Sequence, residues 1–321
     1  MTDIAALVHS LGGMAQKRQL VRRGARDVDL TRAVRSGEVI RARQGWYTTL
    51  SPQDPRVRAV RVGGRLTGIS AIAALGGWVL GPTGLHVSVH DNAARLRTQQ
   101  SRFRRLDVTA PAGVTLHWDS RDVATRGTTM VVGLLDALHR VLKDEPRERA
   151  IAAVDWALRS GLIELFDVEV LLLSAPRGFT TADFDQKCQS LPESLARTRF
   201  RDAGYAVRSQ VPLATGEAID LLVEETVAVE VDGRKFHEAF FVRDRVKDLQ
   251  EAIAGYVPLR PPATTVFNDW AMVAAAVEAA LEARRVSPSL GNSGPAPRKR
   301  RRRPSNPPKP RRSPEFPRSR E

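Results

Sequence analysis

Apolar residues recur every three or four positions over the first part of the chain and alternate later, so the period itself marks out helices and strands. Ile4, Leu7, Val8 and Leu11 fall on one helical face that Gly12-Gly13 terminates. A second helix over 16–23 closes at Gly24, and a third begins near Asp29 as N-cap and stops at Gly37, with Leu30, Ala33 and Val34 inward. Residues 39–47 then alternate as a hairpin turning at Gln44-Gly45. Further on, the pattern predicts a helix over 67–75, strands near 85–90 and 114–117, and helices near 131–142 and 148–159. Pro, Gly, Ser and Thr gather at 174–190, and after them come a helix over 191–203 and a strand over 205–211. Two apolar runs, 218–223 and 227–232, flank Glu224-Glu225-Thr226. A helix over 241–254 ends at Gly255, with Val242, Val246, Leu249 and Ile253 on its apolar face. Pro258 weakens the next strand, 256–260, or sends it to an edge, and residues 270–283 close with Val273, Val277, Ala280 and Leu281 inward.

This order predicts an α/β (α+β) multidomain protein. Its expected parts are a winged helix-turn-helix over 1–55, an α+β middle domain over 56–173, a linker over 174–189, a compact αβββαβ domain over 190–285, and a disordered basic tail over 286–321. In the first part Thr31, Arg32 and Arg35 point outward on the third helix, while Arg41 and Arg43 flank the turn of the wing. That helix would enter a DNA major groove and the wing arginines would meet phosphates; a basic solvated face is the alternative.

Carboxylates in the two apolar runs carry the main chemical signal. If 224–226 form a three-residue loop, Val223 faces Val227 and, counting back, Asp220 falls opposite Glu230. Cβ atoms in such a pair stand about 4.5–5.5 Å apart. Like charges that close need something positive between them, and a divalent cation held by oxygen ligands, Mg²⁺ or Mn²⁺, answers that need. The alternative is a pair of strand-end acids facing water. His86, His90, His117 and His139 lack metal-ligand spacing and read as ordinary surface or core histidines.

Charge narrows the partners. The chain of 321 residues carries a formal charge of +14, and Arg298-Lys299-Arg300-Arg301-Arg302-Arg303 is the densest run in a tail that cannot build a core. Such a segment binds nucleic acid without sequence preference, or merely solubilises. A lone Cys188 excludes an intramolecular disulfide partner and fits a reducing cytoplasm. With no apolar run of membrane-spanning length, no membrane partner is expected.

Asp220, Glu230-Val231-Asp232-Gly233, His237 and Arg243-Asp244-Arg245 resemble the nuclease domain related to very-short-patch repair endonucleases, within the PD-(D/E)XK superfamily, across about residues 190–282. The resemblance implies a restriction-endonuclease-like core, a Mg²⁺ (or Mn²⁺) cofactor and DNA as substrate. It implies metal ligation by Asp220, Glu230 and the main-chain carbonyl of Val231, with Glu193 or Asp232 added, and an Arg-bearing strand, here Arg260. Ser190 and Glu193 equally fit a capping box, which needs no metal. Where the superfamily usually has Lys, this chain has Asp232, so His237, or less favourably Lys235, is the expected proton-exchanging group unless it is a water-exposed helix-start residue. Arg243, Arg245 and Arg260 would bind phosphate or solvate a face. The first half is similar to the AbiEi-type antitoxin family, in its winged-helix pattern, residues 70–76, Leu85-His86-Val87-Ser88-Val89, Leu135-Asp136 and Asp155-Trp156-Ala157-Leu158. That likeness implies a DNA-binding regulator with a toxin partner. Two functions therefore compete: a metal-dependent endonuclease targeted by a winged helix, and a non-catalytic DNA-binding regulator or antitoxin on a nuclease-like scaffold. An RNA-binding protein is a third reading and rests on the tail alone.

Overall fold

The computed structural model describes residues 2–120, 123, 126–175, 178–232 and 238–286, the last stretch without the side chains of 238–244. The expectations for His237, Lys235, the Arg243 side chain and the tail beyond Val286 lie outside the described residues. Those residues form a mixed α/β protein with three small sheets and twelve α-helices. Among them, no helix is long and apolar enough to cross a membrane.

The N-terminal unit runs α1 (Ile4–Ser10), β1 (Met14–Gln16), α2 (Lys17–Arg22), α3 (Asp27–Arg35), β2 (Ile40–Arg43) and β3 (Trp46–Thr48), with an antiparallel sheet in the order β1-β3-β2. Asp3 caps α1 by accepting the Ala6 N–H at 2.9 Å. Ile4, Val8, Leu20, Leu30, Ala33 and Val39 fill the core beneath. The third helix starts three residues earlier than its sequence predicts, with Arg26 as N-cap. Asp29 is not its N-cap but lies one turn in, buried, where its carboxylate accepts from the Arg26 Nε at 3.1 Å and the Arg26 N–H at 3.3 Å. Burial with a guanidinium partner outweighs the usual capping preference of Asp.

The middle unit comprises α4 (Pro55–Val62), β4 (Arg65–Leu66), α5 (Gly68–Ala74), β5 (Leu85–His90), β6 (Val114–Asp119), α6 (Leu134–Asp144), α7 (Arg147–Arg159) and α8 (Leu165–Leu172). Its sheet is β4-β5-β6, antiparallel then parallel. Met14 and Ala42 of the first unit pack into the same core as Val57, Leu66 and Val87. The stretch expected to be a linker contributes Phe184 and Cys188 to the interior. Beside them Asp155 of α7 is fully buried, accepting from Ser194 Oγ at 2.6 Å and the Asp185 N–H at 2.7 Å and pairing with Arg197 at 3.2 Å. Removing either ion of such a pair leaves an uncompensated buried charge, so it fastens the middle unit to the chain around Ser194 and Arg197.

The C-terminal unit runs α9 (Leu191–Asp202), β7 (Val207–Pro212), β8 (Ala218–Val223), β9 (Val227–Val229), α10 (Glu238–Ile253), β10 (Val257–Leu259), α11 (Ala263–Asn268) and α12 (Trp270–Val286). The sheet order is β10-β9-β8-β7, with β10 parallel to β9 and the other pairs antiparallel. Pro258 sits on β10 at the sheet edge, where its missing N–H costs no ladder bond. Leu221, Val223, Val227 and Val229 pack with Leu195 and Phe200 of α9 and Val273, Val277 and Leu281 of α12. Val211, Leu222 and Ala228 form a second cluster with Tyr256 against them. Burial on both faces explains why these strands read as nearly continuous apolar runs.

Helix α10 reverses its expected orientation. Val246, Leu249 and Ile253 are 47, 64 and 86% exposed, whereas Glu251 is fully buried and the Lys247 side chain only 14% exposed. Two stripes with the same 3–4 period compete on this helix, one apolar and one holding Lys247 and Glu251. Buried acids on the sheet select the polar stripe, because a buried carboxylate without a cation is costlier than an exposed Leu.

Candidate active site

The hairpin register places the carboxylates together. Leu221 faces Val229, Leu222 faces Ala228 and Val223 faces Val227, so the next pair along the ladder is Asp220 and Glu230. Glu224 and Glu225 both take positive φ (50° and 49°) and Thr226 N–H donates to the Val223 carbonyl at 3.0 Å, which closes the turn and fixes that register. Glu230 accepts the Asp220 main-chain N–H at 3.1 Å, and Asp220 accepts the Val231 N–H at 3.1 Å. Val231 thus meets Asp220 through its N–H, not through the carbonyl expected as a metal ligand.

Glu193 joins them from α9. Ser190 caps that helix, and Glu193 accepts the Ser190 hydroxyl at 2.7 Å and the Gln189 N–H at 2.9 Å. The capping role and the site role fall on one side chain: Gln210 on β7 donates from one amide nitrogen to both Glu193 and Asp220, each at 3.3 Å. Gln210 holds φ at 51°, a strained value for a non-glycine strand residue, and this kink accompanies its amide bridging the two acids.

The positive charge in the site comes from α10. Lys247 Nζ pairs with Glu230 Oε2. Glu251, one turn on, is buried, and neither carboxylate oxygen has a hydrogen-bond partner among the described residues. Burial, followed by repulsion from Asp220, pushes Glu193 up to about 7. Burial also raises Asp220 against the opposing pull of Lys247. Glu230 is raised by burial and then by Asp220, and Glu251 reaches about 8 through burial and then Glu230. Among the described residues four raised acids face one paired cation, Lys247, so negative charge outweighs positive in the site.

Asp232, grouped with the catalytic acids by its sequence position, is 45% exposed and pairs with Arg260 at 3.3 Å. Arg260 also donates to Asp248 at 2.7 Å, so the structure commits it to ion pairs with carboxylates. Arg245 is exposed and lies 3.5 Å from Asp248. In the N-terminal unit Thr31 and Arg35 are exposed on α3, while Arg32 is half-buried and 3.5 Å from Asp29. Arg41 is half-buried. Arg43 departs from its expected place on a phosphate-facing wing, donating instead to the carbonyls of Val62 at 2.6 Å and Arg95 at 2.9 Å. It ties the hairpin to the middle unit.

Lys247, Gln210 and Glu251 are the site residues that sequence reasoning missed. Lys247 reads as part of a solvated helix face, and its only signal is the i, i+4 spacing with Glu251. No protein-family model matches the chain, and no curated protein matches it.

Proposed function

We propose that the chain is a metal-dependent DNA endonuclease whose C-terminal unit is restriction-endonuclease-like, of the PD-(D/E)XK kind, and whose N-terminal unit is a winged helix that brings it to DNA. The observation that carries this reading is the convergence of Glu193, Asp220 and Glu230 from three elements, with Lys247 against Glu230. The donors are all oxygen, the acids are raised by burial and by one another, and Glu251 adds a buried carboxylate with no hydrogen-bond partner among the described residues. That set fits Mg²⁺ or Mn²⁺ and not a soft, thiolate-seeking metal. Asp220, Glu230 and Glu193 would hold the ion. When bound, it would supply an acidified water and charge neutralisation at the phosphate.

The chain's own residues do the rest. Gln210 orients the carboxylates of Glu193 and Asp220, and the Val231 N–H fixes the second oxygen of Asp220. Lys247 Nζ fills the role of the superfamily lysine from a helix instead of from position 232, steadying negative charge that develops on the phosphodiester. The i+2 residue is thereby free to be Asp232, which braces Arg260. On the N-terminal unit, the order α1-β1-α2-α3-β2-β3 with exposed Thr31 and Arg35 supports placing α3 in a major groove.

Supercoiled plasmid incubated with the full chain and Mg²⁺ or Mn²⁺ should be nicked or linearised, and Asp220→Asn and Lys247→Met should each abolish this. Cleavage surviving in Asp220→Asn would place the site elsewhere. Absence of cleavage on every DNA form would leave the non-catalytic regulator, with its toxin partner, as the better reading.

A further inference from the structure

A second cluster of ligand-type side chains lies in the middle unit, remote in sequence from the acids of the C-terminal unit. His86 on β5 and His117 on β6 stand on adjacent parallel strands, and their rings stack with centroids 5.3 Å apart. His86 Nδ1 and His117 Nε2 are 3.2 Å apart. Asp144, the last residue of α6, brings a carboxylate oxygen to 3.5 Å from His117 Nδ1. One donor atom from each of the three lies within 4.8 Å of the others.

We propose that His86, His117 and Asp144 form a binding site for a divalent transition-metal ion of the zinc class, separate from the Mg²⁺ site and clamping the end of α6 to the β5–β6 edge. Two Zn–N bonds of about 2.0–2.1 Å at a tetrahedral angle put their nitrogens about 3.3–3.4 Å apart, close to the His–His spacing. Asp144 faces the other ring nitrogen of His117 and is held only by long contacts, 3.5 Å to His117 Nδ1 and 3.9 Å to Arg140 Nε, so its carboxylate would turn to reach an ion shared with His86. Two imidazoles and one carboxylate leave a fourth position for water and favour zinc-class ions over Mg²⁺. The strand that carries His86 is held in place by its backbone. Ser70 Oγ accepts the His86 N–H at 3.0 Å and donates to the Gly84 carbonyl at 2.8 Å, which anchors the start of β5. The neighbouring cation, Arg140, is engaged by Asp119 at 2.7 Å and stands 3.9 Å from the Asp144 carboxylate, a long pair that the ion would replace, and Glu145 adds a further acid nearby.

The test is equilibrium dialysis of the chelator-stripped full chain against micromolar Zn²⁺ in millimolar Mg²⁺, with bound zinc counted by elemental analysis. The experiment compares wild type, His86→Gln, His117→Gln and Asp220→Asn, with Co²⁺ absorption as a second readout. About one zinc per chain is expected in wild type and in Asp220→Asn, a rise in melting temperature with zinc, and at least a tenfold weaker affinity in both histidine variants. His86, being half-buried, gives the variant least prone to a folding defect, and matched metal-free melting curves verify its fold. Zinc retained by His86→Gln but lost from Asp220→Asn would overturn the proposal, since the ion would then occupy the acidic site. Less than a stoichiometric ion in wild type would overturn it as well. Neither result depends on whether the chain cleaves DNA.

Discussion

Replacing Glu193 by Gln should stabilise the metal-free protein, and the gain should grow with pH. In the folded state burial and then Asp220 raise this carboxyl to about 7, against an ordinary value of 4.5. A group whose folded pKa is raised binds its proton more tightly when folded, so its ionisation removes stability as pH rises from the unfolded value to the folded one. At about 1.4 kcal/mol per unit the full penalty is on the order of 3 kcal/mol at pH 8 and under about 1 kcal/mol at pH 5. Gln keeps the volume, an acceptor for the Gln189 N–H and a donor for Ser190 Oγ, so most of the capping geometry survives. Because Asp220 and Glu230 relax partly when Glu193 is neutral, a recovery of about 1–2 kcal/mol at pH 8 is expected. Urea denaturation in chelator at both pH values measures it. A variant less stable than wild type at pH 8, or equally stabilised at both pH values, would refute the electrostatic reasoning. With saturating Mg²⁺ the order should invert, since wild type alone gains from the ion.

Lys247→Met should lower cleavage at least about a hundredfold while leaving Mg²⁺ binding intact or tighter, because the ammonium competes for Glu230; single-turnover kinetics and calorimetry separate the two effects. The double variant Arg32→Ala with Arg35→Ala should weaken duplex binding at least about tenfold in a gel shift at physiological salt, with wild-type affinity as the contrary result. Deleting residues 287–321 should flatten the salt dependence of non-specific DNA binding without moving the melting transition, and an unchanged salt slope would count against that role for the tail.

Much of the C-terminal unit was legible because its signals are local. The turn Glu224-Glu225-Thr226 sets the hairpin register by counting, and alternation then carries Asp220 to Glu230 without any long-range information. Ser190 and Glu193 mark a helix start for the same reason. What stayed hidden depends on tertiary choice. Helix α10 carries two stripes of equal period, and only the buried acids on the sheet decide that Lys247 and Glu251 turn inward. The pairing of His86 with His117 needs the parallel register of β5 and β6, which no spacing along the chain reveals. Helix α4 escaped because Arg56, Arg58 and Arg61 break its apolar face, although Arg61 is buried and donates to the Gln99 carbonyl at 2.7 Å. Arg43 has the sequence context of a wing and the structural role of a bracket.

The central claim is that Glu193, Asp220 and Glu230 form one cation site, and a calorimetric titration of the full chain with Mg²⁺ or Mn²⁺ tests it most directly. Wild type should bind one ion with release of protons at pH 7, because Glu193, raised to about 7 by burial and Asp220, must ionise to ligate it, and Asp220→Asn and Glu230→Gln should not bind. Wild-type protein that binds no ion, or variants that bind as wild type does, would contradict the account.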